Sequence, residues 1–167
     1  MSNYKSQLSN INTFIFDYDG VLTNGTVILQ ADGEALRTAN VKDGYSLQLA
    51  VKLGFNVAII SGGYSASMRK RFEALKIEDF FLGVSNKVEV FNSYIKEKNI
   101  KSENVLYMGD DIPDFNVMKA VGLPCCPADA VPEIKSISKY ISSFEGGKGC
   151  VRDVIEQTLK VQNKWMT

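Results

Sequence analysis

Short apolar runs alternate with longer amphipathic stretches over most of the chain. The apolar runs have the length of β-strands and are NTFIFDYD, FNVAIISG, DFFLGV, ENVLYMGDD and LPCCPAD. Amphipathic stretches between successive apolar strands are typical of a parallel sheet that is covered by helices. The pattern therefore predicts an α/β fold, in which a parallel sheet is flanked by helices.

Five of the amphipathic stretches are predicted to be helices. They cover Gly44 to Leu53, Ser65 to Leu75, Lys87 to Lys98, Pro113 to Val121 and Gly149 to Val161. Pro113 suits the first turn of its helix, because the N–H that proline lacks would have no partner there.

Two turn signals, Asn24-Gly25 and Asp32-Gly33, lie between the first predicted strand and the first predicted helix. The segments TVILQ and EALRTANV flank the second turn, as the two strands of a β-hairpin would. We therefore predict a hairpin flap over about residues 23–40, beside the end of the first strand.

The chain has 167 residues, which is enough for one domain with a hydrophobic core and short for two. We predict a single domain over residues 1–167, with a C-terminal tail over about residues 145–167. Lys plus Arg equals Asp plus Glu at 19 each, which gives no bulk charge for nucleic acid or a membrane surface. The first ten residues lack the features of a signal peptide, and no apolar run is long enough to cross a bilayer, so we expect a cytoplasmic protein.

The chain contains no histidine. This absence excludes Ser-His-Asp and Cys-His triads, histidine general bases and nearly all catalytic zinc sites. The three cysteines, Cys125, Cys126 and Cys150, form neither a disulfide framework nor a Cys-x-x-Cys metal motif. Any catalysis must therefore depend on carboxylates, lysine, hydroxyls or hard metal ions.

Polar residues follow the predicted strands at their carboxyl ends, which is the edge where open α/β sheets bind ligands. They are Asp17 and Asp19 after the first strand, Ser61 after the second, and Asp110, Asp111 and Asp114 after the fourth. Carboxylates that converge at one edge repel one another unless a cation neutralises them, so the cluster predicts a bound divalent metal. Oxygen ligands without histidine or cysteine suit Mg²⁺, which points to phosphoryl chemistry.

Four segments resemble the four motifs of the haloacid dehalogenase superfamily. DYDGV resembles the nucleophile motif, SGG the second motif, Lys87 the third and GDDIPD the fourth, in matching order and spacing. The resemblance implies a Rossmann-like core and an enzyme that hydrolyses phosphoric monoesters through an aspartyl-phosphate intermediate. Taken alone, Ser61 would equally suit a helix cap, and Lys87 a solvated helix position.

The same resemblance implies catalytic roles for four residues. Asp17 attacks phosphorus, and Asp19 protonates the leaving alkoxide and then deprotonates the attacking water. Ser61 donates a hydrogen bond to the transferring phosphoryl group, and Lys87 places a positive charge against that group and the nucleophile.

The metal ligands that the resemblance implies for Mg²⁺ are Asp17, Asp110 and the main-chain carbonyl of Asp19. Asp111 and Asp114 are expected to orient the catalytic lysine or metal-bound water.

Superfamily members often carry a cap domain, inserted after the first motif or between the second and third. Both intervals are filled here by the predicted hairpin, strands and helices, which leaves no room for a cap. A site without a cap must take a large substrate or borrow a lid, most simply from another subunit. We therefore predict a homo-oligomer, with a tetramer as the expected form.

Over about residues 11–165, the chain resembles the capless 3-deoxy-D-manno-octulosonate 8-phosphate phosphatases. The resemblance is carried by DGVLTNG, the hairpin, NVKDGYSLQLAV, GDDIPDFNVMKAVGLP and GGKGCVRDVIEQTL. It implies hydrolysis of a small phosphorylated sugar acid in lipopolysaccharide precursor synthesis. The implied enzyme is a homotetramer whose hairpins form a central barrel and whose neighbouring subunit helps to close each site.

Substrate contacts are implied by the same resemblance, and Lys42 and Arg71 are candidates to meet the carboxylate of the sugar acid. The implied contacts are Asn40, Val41, Lys42, Asp43, Gly44, Gly62 and Arg71. Where many members carry arginine, this chain has Gln48 and Gly63. A nine-carbon sugar-acid 9-phosphate therefore stays open as an alternative substrate, although the NVKDGY segment favours the eight-carbon acid.

Two further questions stay open. A non-catalytic phosphate-binding or regulatory subunit is the alternative of another class, although a receiver domain places its acidic pair before the phosphorylated Asp and this chain does not. The segment GGKG, residues 146–149, is either a flexible entry to the last helix or an arm that reaches an adjacent site. The family resemblance favours the arm.

Overall fold

A six-stranded parallel sheet forms the centre of the computed structural model, which describes residues 4–166. Within those residues the strands are β1 (Thr13–Phe16), β2 (Ile28–Leu29), β3 (Ala35–Leu36), β4 (Asn56–Ile60), β5 (Asp79–Phe81), β6 (Val105–Met108), β7 (Leu123–Cys126) and β8 (Tyr140–Ile141). The order across the sheet is β5-β4-β1-β6-β7-β8, and every neighbouring pair is parallel. The predicted α/β class is confirmed.

Strand β1 is buried on both faces of the sheet, and all four of its residues are buried. Phe14 and Phe16 belong to one core cluster, which includes Ile155 near the C-terminus. Ile15 belongs to the cluster on the other face, together with Phe91. Successive strand residues point to opposite faces, so a strand covered on both sides must be apolar throughout. This is why the central strands read as continuous apolar runs.

Helices pack against the sheet and against each other. Among the described residues they are α1 (Tyr4–Leu8), α2 (Val41–Lys52), α3 (Ala66–Ala74), α4 (Lys87–Glu97), α5 (Phe115–Ala120), α6 (Pro132–Ile137) and α7 (Cys150–Val161). Helix α2 begins before the predicted Gly44 because Asn40 caps it, with Oδ1 accepting from the N–H of Lys42 at 2.8 Å. None of the helices in residues 4–166 has the length and apolar character needed to cross a membrane.

Strands β2 and β3 pair as a short antiparallel ribbon, which we call the ribbon below. Ile28 lies opposite Leu36 and Leu29 opposite Ala35. The ribbon lies where the hairpin is predicted, but each strand has only two residues, so most of TVILQ and EALRTANV is irregular. An isolated two-stranded ribbon is marginally stable, which accounts for the short pairing. Ile28 is 61% exposed and Leu29 is 79% exposed.

The segment after β6 begins as a 3-10 turn, Ile112–Asp114, that leads directly into α5. The Asp111 side chain caps this turn, because its Oδ1 accepts from the N–H of Ile112 at 2.7 Å. Pro113 therefore lies in the tighter entry turn rather than in the α-helix itself. The turn reverses the chain so that the acidic residues of GDDIPD face the carboxyl edge of the sheet.

Candidate active site

A cleft of about 600 Å³ opens at the carboxyl edge of the sheet, where Asp17 follows β1, Ser61 follows β4 and Asp110 follows β6. The predicted site residues that line it are Asp17, Asp19, Ser61, Gly62, Lys87, Asp110, Asp111 and Asp114. Parallel strands end at a common edge, so residues far apart in the sequence meet there.

Asp17 is held at the bottom of this cleft by its neighbours on β1 and β6. Its N–H donates to the carbonyl of Met108 at 3.0 Å, which continues the pairing of the two strands by one residue. Its Oδ1 accepts from the N–H of Tyr18 at 2.7 Å and lies 2.9 Å from Lys87 Nζ. Asp17 is buried, so these donors fix the direction of its carboxylate.

Lys87 connects two buried carboxylates. Its Nζ lies 2.9 Å from Asp17 Oδ1 and 2.8 Å from Asp114 Oδ1, and only 5% of its side chain is exposed. Burial opposes a charge on the lysine, but Asp17 and Asp114 outweigh it and raise the Lys87 pKa. The side chain is therefore an ammonium at neutral pH, placed between the two acids.

Asp114 is engaged in hydrogen bonds within the protein, one of which holds this lysine. Its Oδ1 also accepts from the Tyr107 hydroxyl at 2.6 Å, and its Oδ2 accepts from the N–H of Asp110 at 3.4 Å. Both oxygens of Asp114 thus have partners within the protein. Contact with Lys87 agrees with the orienting role that the sequence resemblance implies for Asp114.

The residues around Asp110 fit a hard divalent cation. Carboxylate oxygens of Asp17, Asp110 and Asp114 lie within 4.8 Å of one another. The Oδ1 atom of Asp110 is buried and has no hydrogen-bond partner among the described residues. A Cβ at Gly20 would lie 2.0 Å from Asp110 Oδ2, so only glycine allows this carboxylate to come so close to the loop after β1. With Asp114 engaged elsewhere, Asp17 and Asp110 are the side chains free to ligate.

The acidic cluster carries an electrostatic cost that a cation would relieve. Burial and the charge of Asp114 raise the pKa of Asp110 to about 7. The same two causes raise the pKa of Asp17, against the opposing effect of Lys87. A divalent ion between the two carboxylates would favour their charged forms.

Ser61 follows β4 and is fixed at both main-chain groups, by the last residue of β5 and by the loop after it. Its N–H donates to the carbonyl of Phe81 at 2.9 Å, and its carbonyl accepts from Val84 at 3.0 Å. Its Oγ accepts from the N–H of Gly63 at 3.0 Å, which leaves the hydroxyl proton available to a ligand. The cap of α3 is Ser65 instead, so the helix-cap interpretation of Ser61 was wrong.

Asp19 has a partner that the sequence did not reveal. Arg37, just after β3, donates from Nε to Asp19 Oδ1 at 2.6 Å and from Nη2 to Asp19 Oδ2 at 3.0 Å. The contact joins the ribbon to the cleft. The sequence gives no signal that an arginine in a hairpin will pair with this acid. The pairing depends on how the chain folds between the two residues.

Of the seven implied substrate contacts, Gly62 lines the cleft. Asn40, Gly44 and Arg71 instead line a much smaller cavity beside Tyr18. A Cβ at Gly44 would lie 2.4 Å from Arg71 Nη2, so the arginine lies directly on the first turn of α2.

The other three implied contacts are the first residues of α2, two of which lie near the start of α7. Val41 is 76% exposed, and Lys42 borders a cavity of about 540 Å³ with Arg152. Asp43 is buried, and its Oδ1 accepts from the N–H of Arg152 at 2.8 Å. Burial raises the pKa of Asp43, while hydrogen bonds from the N–H groups of Arg152 and Gly149 oppose the shift.

The segment GGKG packs against the loop after β1 of its own chain. The N–H of Gly147 donates to the carbonyl of Val21 at 2.9 Å, and Asn40 Nδ2 donates to the carbonyl of Gly147 at 3.1 Å. A Cβ at Gly146 would lie 2.0 Å from the carbonyl oxygen of Gly20. The close contact explains why glycine is needed at this position of the segment.

Comparisons with known proteins agree with this geometry. Residues 76–152 match the haloacid dehalogenase-like hydrolase family. The chain is 37% identical over 159 residues to the 3-deoxy-D-manno-octulosonate 8-phosphate phosphatase KdsC of Escherichia coli K12, a match that covers 95% of this chain and 85% of that protein.

Two solved structures extend the likeness to three dimensions. The 3-deoxy-D-manno-octulosonate 8-phosphate phosphatase of Moraxella catarrhalis, in complex with a magnesium ion, a phosphate ion and KDO, is 30% identical with a TM-score of 0.94, covering 99% of this chain and 95% of that one. The cobalt-bound phosphatase of Haemophilus influenzae is 34% identical with a TM-score of 0.92, covering 96% of each chain. The chain therefore belongs to the family of 3-deoxy-D-manno-octulosonate 8-phosphate phosphatases, within the haloacid dehalogenase-like hydrolases.

Proposed function

We propose that this protein hydrolyses 3-deoxy-D-manno-octulosonate 8-phosphate to the free sugar acid and inorganic phosphate. The observation that carries the proposal is the buried ion-pair network in which Lys87 bridges Asp17 and Asp114 beside Asp110. A cation pressed against a candidate nucleophile is the arrangement that phosphoryl transfer needs. Relatives that share this fold over nearly the whole chain bear the name of that activity.

In the first step, the Asp17 carboxylate attacks phosphorus and the bond from phosphorus to the sugar oxygen breaks. Asp19 donates a proton to that oxygen, so the sugar leaves as a neutral alcohol rather than an alkoxide. Lys87 contacts the nucleophile throughout, and the Ser61 hydroxyl donates to a phosphoryl oxygen.

In the second step, a water molecule attacks the phosphorus of the aspartyl phosphate. Asp19, now a carboxylate, takes a proton from that water while the bond from phosphorus to Asp17 breaks. Phosphate leaves, and both carboxyl groups return to their starting states.

Mg²⁺ is the cofactor that the site fits, and it supplies positive charge that offsets the charge on the phosphoryl oxygens. The residues that would hold it are Asp17, Asp110 and the main-chain carbonyl of Asp19. The Asp110 oxygen that has no hydrogen-bond partner within residues 4–166 supports this assignment. Asp114 would keep Lys87 in place rather than bind the ion.

Phosphate release tests the function directly. The substrates are 3-deoxy-D-manno-octulosonate 8-phosphate, a nine-carbon sugar-acid 9-phosphate and unrelated sugar phosphates, each with Mg²⁺ and with EDTA. We expect Mg²⁺-dependent release with strong preference for the eight-carbon acid, and loss of it in Asp17→Asn. Preference for the nine-carbon acid would keep the mechanism and change the substrate. Release from none of them would reject the phosphatase function and favour a non-catalytic subunit.

We further propose that the working form is a homotetramer joined through the ribbon. Ile28 and Leu29 are large apolar residues that face solvent in a single chain, and exposed apolar residues at a strand edge favour association. The implied substrate contacts that lie outside the cleft of their own chain would then act where a neighbouring subunit approaches.

A further inference from the structure

Arg37 holds both carboxylate oxygens of Asp19 in a two-pronged ion pair. The distances are 2.6 Å from Nε to Oδ1 and 3.0 Å from Nη2 to Oδ2. Only 8% of the arginine side chain is exposed, and its Nη1 donates to the carbonyl of Ala35 at 2.8 Å. All three donating groups of the guanidinium therefore have acceptors, which fixes its plane and the plane of the carboxylate.

The loop of the second motif leaves space for this pair. A Cβ at Gly63 would lie 2.8 Å from Asp19 Oδ2 and 3.1 Å from Arg37 Nη2. Glycine at this position is one of the two departures from the pattern that the family resemblance implies. The Asp19 carboxylate and the Arg37 guanidinium occupy the space that a side chain at this position would fill.

Asp19 has a task that depends on its direction, because it must point one oxygen at the departing sugar oxygen while the bond to phosphorus breaks. A donor that stays on its other oxygen meets this need, because it keeps the plane of the carboxyl group fixed while the first oxygen is turned to the sugar. Among the described side chains, Arg37 is the one that hydrogen-bonds Asp19.

We propose that Arg37 is a positioning residue for Asp19, which fixes this carboxyl group and assists its donation of a proton to the leaving oxygen. The proposal rests on the phosphatase function proposed above. In the first step, the proton passes from one Asp19 oxygen to the sugar oxygen as the bond to phosphorus breaks. The other Asp19 oxygen stays on Arg37, and both oxygens return to the guanidinium when the carboxylate has formed.

A positioning role for Arg37 differs from a general structural role in how the loss of rate depends on the leaving group of the substrate. A sugar alkoxide is a poor leaving group and needs the proton, whereas p-nitrophenolate leaves readily without one. Loss of Arg37 should therefore slow hydrolysis of the sugar phosphate and spare p-nitrophenyl phosphate. The quantity to compare is kcat/KM, because it reports the steps up to release of the alcohol and excludes the later hydrolysis of the aspartyl phosphate.

The experiment measures kcat/KM for both substrates in the wild type, Arg37→Met and Arg37→Lys, with Mg²⁺ present. General acid catalysis contributes about 10²- to 10⁴-fold, so we expect Arg37→Met to lose roughly 10- to 100-fold on the sugar phosphate and less than about threefold on p-nitrophenyl phosphate. Arg37→Lys keeps the charge and should recover part of the loss. Arg69→Met, an exposed arginine on α3 that lies over Phe80, is the matched control and should change neither value.

A second variant perturbs the pair without removing the arginine. Gly63→Ala places a methyl group against both partners, and we expect the same selective loss on the sugar phosphate. An equal loss on both substrates, or no loss on either, in the Arg37 variants would overturn the proposal. If Arg37→Met does not fold, as judged by its thermal transition, Arg37→Lys is held to the same criterion. A wild type that releases no phosphate from the sugar acid would instead reject the proposed function, which keeps the two failures apart.

Discussion

At the scale of the single residue, Lys87 is predicted to have a large effect on catalysis. It lies between the nucleophile Asp17 and Asp114, and its replacement would leave these two buried carboxylates without a cation between them. Removal of one stabilising donor from an active site typically costs about 10²- to 10³-fold in rate. We therefore expect Lys87→Met to lower kcat/KM for the sugar phosphate by at least about that factor, measured by steady-state phosphate release.

Tyr107→Phe is the matched control for this prediction. The tyrosine hydroxyl donates to the same Asp114 oxygen that pairs with the lysine, but it does not reach Asp17 in the described contacts. Loss of one buried hydrogen bond should cost about 1–2 kcal/mol of stability and leave most of the activity. Equal loss of activity in Tyr107→Phe and Lys87→Met would mean that the lysine acts mainly through Asp114.

Asp110 makes the effect of Mg²⁺ on stability depend on pH. Its pKa is about 7 in the folded protein because of burial and the neighbouring Asp114, against roughly 4 in an unfolded chain. A raised folded pKa means that stability from this group is present at low pH and is lost as the pH rises from about 4 through about 7. Mg²⁺ needs the carboxylate form, so the ion displaces the proton and offsets that loss.

The expected result is a difference in thermal midpoint between Mg²⁺ and EDTA that grows as the pH rises from about 5 to about 8. Differential scanning fluorimetry at matched ionic strength measures it. In Asp110→Asn one of the two carboxylate ligands is gone, so Mg²⁺ should bind more weakly and the difference should be small at every pH. A difference that shrinks with rising pH would contradict the assignment of Asp110 as a ligand.

At the scale of elements, helix α7 receives its N-terminal cap from another helix. Its own N-cap is Gly149, with φ at +112° and no side chain to accept a hydrogen bond. Asp43 of α2 supplies the acceptor instead, through its bond from the N–H of Arg152. One buried carboxylate of α2 thus completes the N-terminus of α7, in a segment where the sequence resemblance implies substrate contact.

Substitution of Asp43 should therefore show in the free energy of unfolding. We expect Asp43→Ala to lower it by about 1–3 kcal/mol, because the N–H groups at the start of α7 lose their acceptor. Asp43→Asn keeps an acceptor oxygen and removes a buried charge, so its loss should be under about 1 kcal/mol. Urea denaturation measures both variants, and a larger loss in the asparagine variant would mean that the charge itself is needed.

The local pattern predicts elements well where it is strong and regular. Strands β1, β4 and β6 are recognisable in the sequence as apolar runs. Because parallel strands end at a common edge of the sheet, the residues that follow them, Asp17, Ser61 and Asp110, could be predicted to lie together. Helices α1 and α6 and strand β8 were missed because they have five, six and two residues, too few to show a period.

Tertiary contacts account for the rest of what the sequence could not reveal. Arg37 meets Asp19 across 18 positions, and Asp43 meets Arg152 across 109 positions. Such pairs depend on the path of a loop or the packing of two helices, and neither follows from periodicity. The four motifs identified the acids of the site, but not the side chains that hold them in place.

At the scale of the whole molecule, the ribbon connects the outer surface to the catalytic cleft. Ile28 and Leu29 of β2 are exposed on opposite faces of the ribbon, while Arg37 at its base pairs with Asp19. A ribbon of two-residue strands is weakly held in a single chain, and burial of these apolar side chains against neighbouring subunits would stabilise it. Assembly should therefore also fix the position of Arg37, so that quaternary structure and proton donation are linked.

Substitution of the exposed apolar residues of the ribbon tests this link. We expect the double substitution Ile28→Lys, Leu29→Lys to convert a tetramer into smaller species, measured by size-exclusion chromatography with light scattering. Because a freed ribbon holds Arg37 less firmly, kcat/KM should fall more for the sugar phosphate than for p-nitrophenyl phosphate. Ile141→Lys, a partly exposed isoleucine on edge strand β8, is the control and should change neither mass nor activity. A wild type that is already monomeric and fully active would show that the cleft works without a neighbour.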